Sequence, residues 1–382
     1  MSQTTGTTLF PVTPSKAVAH VERCIKKKRV PILKGSPGIG KSDIIRQVAE
    51  KYSLKVIDIR LAQIDPVELN GFPNFTADGK AVYAPMNIFP TKGEPLPLKE
   101  EHEHRQTKYT TLLESGSDDE IAAFQKKYCY RGWLLFFDEI TSANRAVQAA
   151  AYKIVLDRMV GQFYLHEAAF CVAAGNLSSD KAVVNQMSTA LQSRLIHYTL
   201  KVCREEWITW AIKEGLDNRV ISFHEWDKTL LHNFEPNHNS DTFPCPRTWH
   251  MLSDLIEDVI NVDGSLMPTM AGTVGQGAAS TFNTFCQVWQ DLPSVAQVVA
   301  NPTTLAVSTD NATRYAIAGM LAGEANIQNI SAIIKYMKRL SREFQLIFIR
   351  MAFKHTNTLL GNPDFQAMMK EFNADLKALQ QG

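Results

Sequence analysis

Two rhythms of apolar and polar positions run along this chain, and they change over near residue 203. Before that point, short apolar runs alternate with stretches whose apolar residues recur every three or four positions. Ser15–Lys26 has the helical spacing, Val30–Leu33 reads as a short buried strand, and Ser42–Lys51 reads as an amphipathic helix. Leu54–Arg60 alternates and is β-branched, which predicts a second strand. Leu61–Pro73 is helix-like and ends at Gly71 and Pro73. A long, weakly structured insertion follows at about 74–131, opening with a hairpin turned at Asp78-Gly79 and a proline-rich arm, 89–97. A capped helix over 118–127 closes that insertion. Trp133–Phe137 is a run of large apolar residues, the pattern of a strand covered on both faces. Ala146–Val160 is helical, Ala168–Asn176 is another buried strand, and Thr189–Arg194 ends a helix running into the strand Leu195–Leu200. Strand and helix in alternation predict a parallel α/β sheet.

Beyond about residue 204 the helical period takes over. Glu205–Lys213, Arg219–Trp226 and Pro246–Ile256 are amphipathic, and Gly272–Gly277 reads as a bend leading into Ala278–Trp289. Ile327–Leu346 carries Lys335, Lys338, Arg339 and Arg342, a run expected to form a solvated face. A chain of 382 residues with 45% hydrophobic content holds enough for two or three structural units. Its 40 basic and 39 acidic residues leave no global electrostatic case for nucleic acid or a membrane surface. No apolar run approaches the ~18–20 residues that cross a bilayer. The first residues lack the pattern of a secretory signal, and the six scattered cysteines suit free thiols, so a cytosolic setting is expected. His102 and His104 flank Glu103 in a stretch expected to be a solvated loop, without a second ligand cluster nearby.

The chemistry centres on Gly35-Ser36-Pro37-Gly38-Ile39-Gly40-Lys41-Ser42, which fits the G-x-x-x-x-G-K-[ST] phosphate loop between a strand and a helix. Glycines let the backbone adopt positive φ and approach an anion, and the helix start adds a positive dipole end. Lys41 would reach the β- and γ-phosphates and Ser42 would help hold Mg²⁺, with Asp43 in the same first turn of the phosphate-binding set. Asp138 and Glu139 end the most apolar strand, where ligands bind in open α/β sheets. Asp138 would meet Mg²⁺ through its waters and Glu139 would orient or deprotonate water; the plainer alternative is an acidic N-cap. Asn176 ends its strand with an amide that could hold a water, or simply serves a Gly-Asn turn. Arg194 could reach towards a neighbouring subunit or cap its own helix. Arg247 stands in the first turn of a helix, where the dipole disfavours a cation, so it is either used there or is a surface arginine.

This ordered set resembles the AAA+ ATPases, and more narrowly the MoxR-like group met in phages and prophages. The likeness covers roughly residues 12–290 and is carried by Ile64-Asp-Pro66, the Pro90–Pro97 arm, Phe137–Ala143, Ala173–Asn176, Thr189–Arg194 and Phe243–Trp249. The resemblance implies an αβα sandwich core at 1–203 with the insertion at about 74–131, an all-α lid at 204–290 and a helical extension at 291–382. It implies that Lys41 and Ser42 are Walker A, Asp138 and Glu139 Walker B, and Asn176 sensor 1. Arg194 would be the arginine finger acting in trans, and Arg247 sensor 2 on the lid. It further implies ATP and Mg²⁺, a homo-oligomeric ring, most often a hexamer, a von Willebrand A-type partner and a protein client. An ATP-gated scaffold with slow hydrolysis, or a DNA-acting motor, would use the same nucleotide residues; the charge balance makes nucleic acid the less expected partner.

Overall fold

The computed structural model describes residues 10–177, 185, 187–236, 240–353 and 356–372. The chain divides into two compact units, residues 1–201 and 202–382. The first is built on a five-stranded, all-parallel sheet of β1 (Val30–Lys34), β2 (Lys55–Arg60), β5 (Trp133–Asp138), β8 (Ala169–Gly175) and β9 (Leu195–Thr199). The sheet order is β2-β5-β8-β1-β9. Helices between the strands are what a parallel sheet requires, and they make this the expected αβα sandwich with a parallel central sheet. β5 is buried over Trp133–Phe137, as its unbroken apolar run predicts. One sheet face (Ile32, Ile59, Leu135, Phe137, Ala173) packs on the helix Arg145–Asp157 through Val147, Ala151 and Ile154.

Two further hairpins decorate this unit. β3 (Phe72–Phe75) and β4 (Ala81–Ala84) form the one expected at Asp78-Gly79, so the helix before it is short, Pro66–Asn70. The helix expected to reach Val160 stops at Asp157 because Arg158 turns left-handed (φ 54). β6 (Met159–Val160) and β7 (Phe163–Tyr164) then fold back. The turn of this hairpin lies against β4: a Cβ on Gly161 would stand 3.0 Å from the Tyr83 carbonyl oxygen.

The insertion is better ordered than its polar sequence predicts. A 3₁₀ turn (Glu100–Arg105) and helices Gln106–Ser115 and Asp118–Tyr128 enclose a small core of Leu98, Tyr109, Phe124 and Cys129. Burial pushes the Tyr109 hydroxyl up to about 12, and Gln125 donates to it at 2.8 Å. His102 sits edge-on to Tyr128, and no His, Cys, Asp or Glu cluster among the described residues suits a metal ion.

The second unit is helical from Arg204 onwards. One buried cluster runs from Trp207 to Phe372, so the helices expected as lid and as extension share a core. The glycine-rich stretch is mostly helix: Met267–Val274 and Gln276–Gln290 break only at Gly275, whose φ is 84°. The basic run is partly structural. Arg339 donates to the Pro302 and Leu305 carbonyls and Arg342 lies over the Phe372 ring, while Lys335 and Lys338 stay exposed. No helix among the described residues is long and apolar enough to cross a membrane.

Candidate nucleotide site

The phosphate-loop sequence sits between β1 and the helix Lys41–Tyr52. Gly38 and Gly40 adopt φ of 74° and 87°, conformations costing a side-chain-bearing residue about 1–2 kcal/mol. Gly35 is needed for a different reason: a Cβ there would meet Ile39 Cδ1 at 2.5 Å and the Leu200 carbonyl oxygen at 3.2 Å. Pro37 follows Ser36 at the loop's tip, and Ile39 is buried beneath it. The first helical bond runs from the Ile44 N–H to the Gly40 carbonyl. The N–H groups of Lys41, Ser42 and Asp43 thus belong to the first turn, which has no helical acceptors for them. The Asp43 carboxylate turns outward to Arg46, 3.5 Å away in an exposed pair, leaving the backbone as this residue's contribution to the loop.

Strand pairing brings the other candidates to the loop. β8 lies between β1 and β5, with Lys34 opposite Gly175 and Phe137 opposite Ala173. The C-terminal ends of the three strands are therefore side by side, carrying the loop, Asn176 and Asp138-Glu139. The Lys41 ammonium donates to the Gly35 carbonyl at 2.7 Å, to the Ser36 carbonyl at 2.9 Å and to Asn176 Oδ1 at 3.2 Å. Asn176 is thus joined to the loop through a side-chain contact and not only through a turn.

After β5 the chain makes a tight, fully held turn. Asp138 Oδ1 accepts the Glu139 N–H at 2.8 Å, and Glu139 itself is left-handed (φ 56). The Ile140 N–H donates to the Ala174 carbonyl, and Ser142 and Ala143 both donate to the Glu139 carbonyl. Gln148, buried on the following helix, donates to the carbonyls of Ile140 and Ala143. Asn144, not Asp138, caps that helix by accepting the Val147 N–H, so the acids are left with their side chains at the strand end.

Two residues near the acids carry polar roles that pattern reading passes over. Thr141 is buried and its hydroxyl oxygen accepts the Asn176 N–H at 3.0 Å. Asp58 on β2 stands opposite Phe136, hence on the same sheet face as Asp138; partial burial, then the Asp138 charge, push its carboxyl above the usual range. The signal for Thr141 was a threonine in the turn after the acids; Gln148, also passed over, was marked as a polar residue on an apolar helix face.

Arg194 and Arg247 are the two arginines among the candidate residues. Arg194 is exposed, with Nη1 donating to Ser193 Oγ at 2.8 Å and its guanidinium 5.9 Å from the centre of the Tyr152 ring. Ser193 is the C-cap of the preceding helix, Thr189–Gln192, and the Arg194 N–H donates to the Leu191 carbonyl at 3.1 Å. Arg247 belongs to the second unit, exposed in the first turn of the helix Pro246–Ile256. Thr248 and Cys245 supply the polar contacts at that helix start. In the same unit an open, acid-rich cleft is lined by Glu214, Asp217, Asp254 and Glu257, with Asp217 engaged by Arg219.

The donor set of the cluster is an ammonium, a hydroxyl, two carboxylates and an amide beside a helix N-terminus. That chemistry fits a phosphate chain and a hard, oxygen-bound divalent cation.

No protein-family model matches the chain, and no curated protein matches it. Among solved structures it is similar to a Cytophaga hutchinsonii protein titled a "putative ATPase", at 11% identity and a TM-score of 0.34, over 94% of this chain and 89% of that one. A likeness that weak adds nothing to what strand order and loop geometry show.

Proposed function

We propose that this chain is an ATP hydrolase of the MoxR-like type. The observation that carries the reading is the contact of Lys41 with Asn176, beside the strand end that bears Asp138 and Glu139. When bound, Mg²⁺ would neutralise phosphate charge, with the Ser42 hydroxyl and the Asp138 carboxylate as the groups to hold it. Lys41 and the N–H groups of the helix's first turn bind and orient the phosphates. Glu139, at the end of a rigid strand and turned by its left-handed backbone, serves as the base that takes the proton from water. Asn176 orients that water.

Arg194 acts in trans on a neighbouring copy, a role supported by its exposure. Arg247 reports phosphate state to the second unit. Together they imply a ring of copies, a hexamer by resemblance, working on a protein client with a von Willebrand A-type partner. Exposed aromatic residues on the two adjoining hairpins (Phe72, Phe75, Tyr83, Phe163 and Tyr164) suit engagement of a protein chain. The engaged arginines of the basic run weaken the case for DNA.

The test is Glu139→Gln, which keeps the shape and removes the base. Phosphate release should fall on the order of 10²–10⁴-fold while nucleotide still binds. Wild-type turnover by that variant would refute the role of Glu139, and absence of ATP hydrolysis by the assembled wild type would refute the reading.

A further inference from the structure

We infer that Thr141 is the positioning residue that aligns Asn176 with Lys41, an inference that rests on the hydrolase reading above. The Thr141 side chain is buried in the turn that follows Asp138-Glu139 and crosses to the next strand end. There its Oγ1 accepts the Asn176 N–H at 3.0 Å, while Asn176 Oδ1 accepts from the Lys41 ammonium at 3.2 Å. One residue is thus gripped by its backbone from the acidic turn and by its side chain from the phosphate loop. Thr141 links the two halves of the site through that residue.

The fit around Thr141 is tight enough to specify its position. A Cβ on Gly175 would stand 2.6 Å from Thr141 Cγ2 and 2.7 Å from its Oγ1, so glycine before Asn176 makes room for the threonine side chain. The turn is anchored on its other side as well. The Asn185 N–H donates to the Thr141 carbonyl at 2.7 Å, and Gln148 holds the carbonyls of Ile140 and Ala143. With its backbone so constrained, the Thr141 hydroxyl oxygen is a fixed acceptor, and the Asn176 amide plane follows it. Serine could supply the same acceptor; valine fills the same volume and supplies none.

The experiment compares Thr141→Val, Thr141→Ser and Thr141→Ala in the full chain, at concentrations where the wild type turns over. Thr141→Val should lower kcat on the order of 10- to 100-fold, with affinity for a fluorescent ADP analogue kept within about 3-fold, and Thr141→Ser should restore most of the rate. A Thr141→Val enzyme with the wild-type kcat, or a Thr141→Ser enzyme as slow as the valine variant, would overturn the inference and leave the hydrolase reading standing. Amide hydrogen exchange at Asn176, read without nucleotide, is independent of turnover. It should accelerate in Thr141→Val, or in Thr141→Ala if the valine variant does not fold, and not in Thr141→Ser. Unchanged exchange in the variants lacking the hydroxyl also overturns it. If the wild type hydrolyses no ATP, the functional reading fails, and the exchange result alone decides whether Thr141 sets Asn176.

Discussion

His224 lies at the centre of the second unit, and its titration should govern how that unit's stability depends on pH. Its side chain is fully buried, stacked edge-on to Trp249 at 4.4 Å and to Trp207 at 5.0 Å. Neither ring nitrogen has a hydrogen-bond partner among the described residues. Burial, and then the Arg204 guanidinium that binds the His224 carbonyl, hold the imidazole down at about 3. Glu225, next in the helix, is already engaged by Arg204 and Arg350. The folded unit therefore keeps His224 neutral where the unfolded chain, with a pKa near 6.5, takes up a proton. This stability is complete above about pH 6.5 and declines as pH falls towards 3, at roughly 1.4 kcal/mol per pH unit. From pH 7.5 to 5.0 the loss from this one group is roughly 2 kcal/mol. His224→Leu, of similar volume, removes the titration and the two unpartnered nitrogens at the expense of some aromatic contact. Urea unfolding followed by tryptophan fluorescence is the assay, because five of the six tryptophans lie beyond residue 202. The difference between pH 7.5 and 5.0 should shrink by roughly 2 kcal/mol in the variant. An identical pH difference in both proteins would refute the reasoning.

Arg194→Ala should abolish hydrolysis, a loss on the order of 10³-fold or more, while leaving nucleotide affinity intact; mixing it with Lys41→Ala should restore turnover at sites pairing a good loop with a good arginine. Failure of the mixture to recover activity would argue against a role in trans. Gly40→Ala places a side chain at φ 87 and should cost about 1–2 kcal/mol, read as a lower thermal midpoint together with weaker nucleotide binding. Arg219→Ala should destabilise the second unit by about 3–5 kcal/mol, since it strands the partly buried Asp217 carboxylate and frees the Ile256 and Val259 carbonyls that the buried Arg219 now caps. Urea midpoints for that variant and for Asp217→Asn would check this, and a loss under about 1 kcal/mol would show the pair to be solvated.

Much of the first unit is encoded locally. The apolar run Trp133–Phe137 predicts a strand covered on both faces, and the glycine spacing before Lys41 predicts a loop with positive φ, as found at Gly38 and Gly40. The helix Asp118–Tyr128 announces itself through Ser117 and Glu120, which form the capping box found there. Local signals also mislead. The polar stretch before that helix supplies Leu98 and Tyr109 to a small buried core, and Gly272 and Gly277 lie inside helices because tertiary packing outweighs the roughly 1 kcal/mol that glycine costs there.

Hydrophobic period, loop chemistry and the acids ending an apolar strand were enough, without coordinates, to determine an α/β core and its candidate residues. Which strand ends lie together was decided only by tertiary structure, because a period of two or of 3.6 says which face is buried and not which neighbour buries it. The order β5-β8-β1 sets Asn176 against Lys41, although 135 positions separate them along the chain. The same long-range pairing gives Thr141 its partner, joins the late helices in one core from Trp207 to Phe372, and binds Arg339 to carbonyls. It also leaves His224 among aromatic rings, without a partner for either nitrogen among the described residues. Each of these depends on atoms brought close by folding, and no local sequence rule reaches that far.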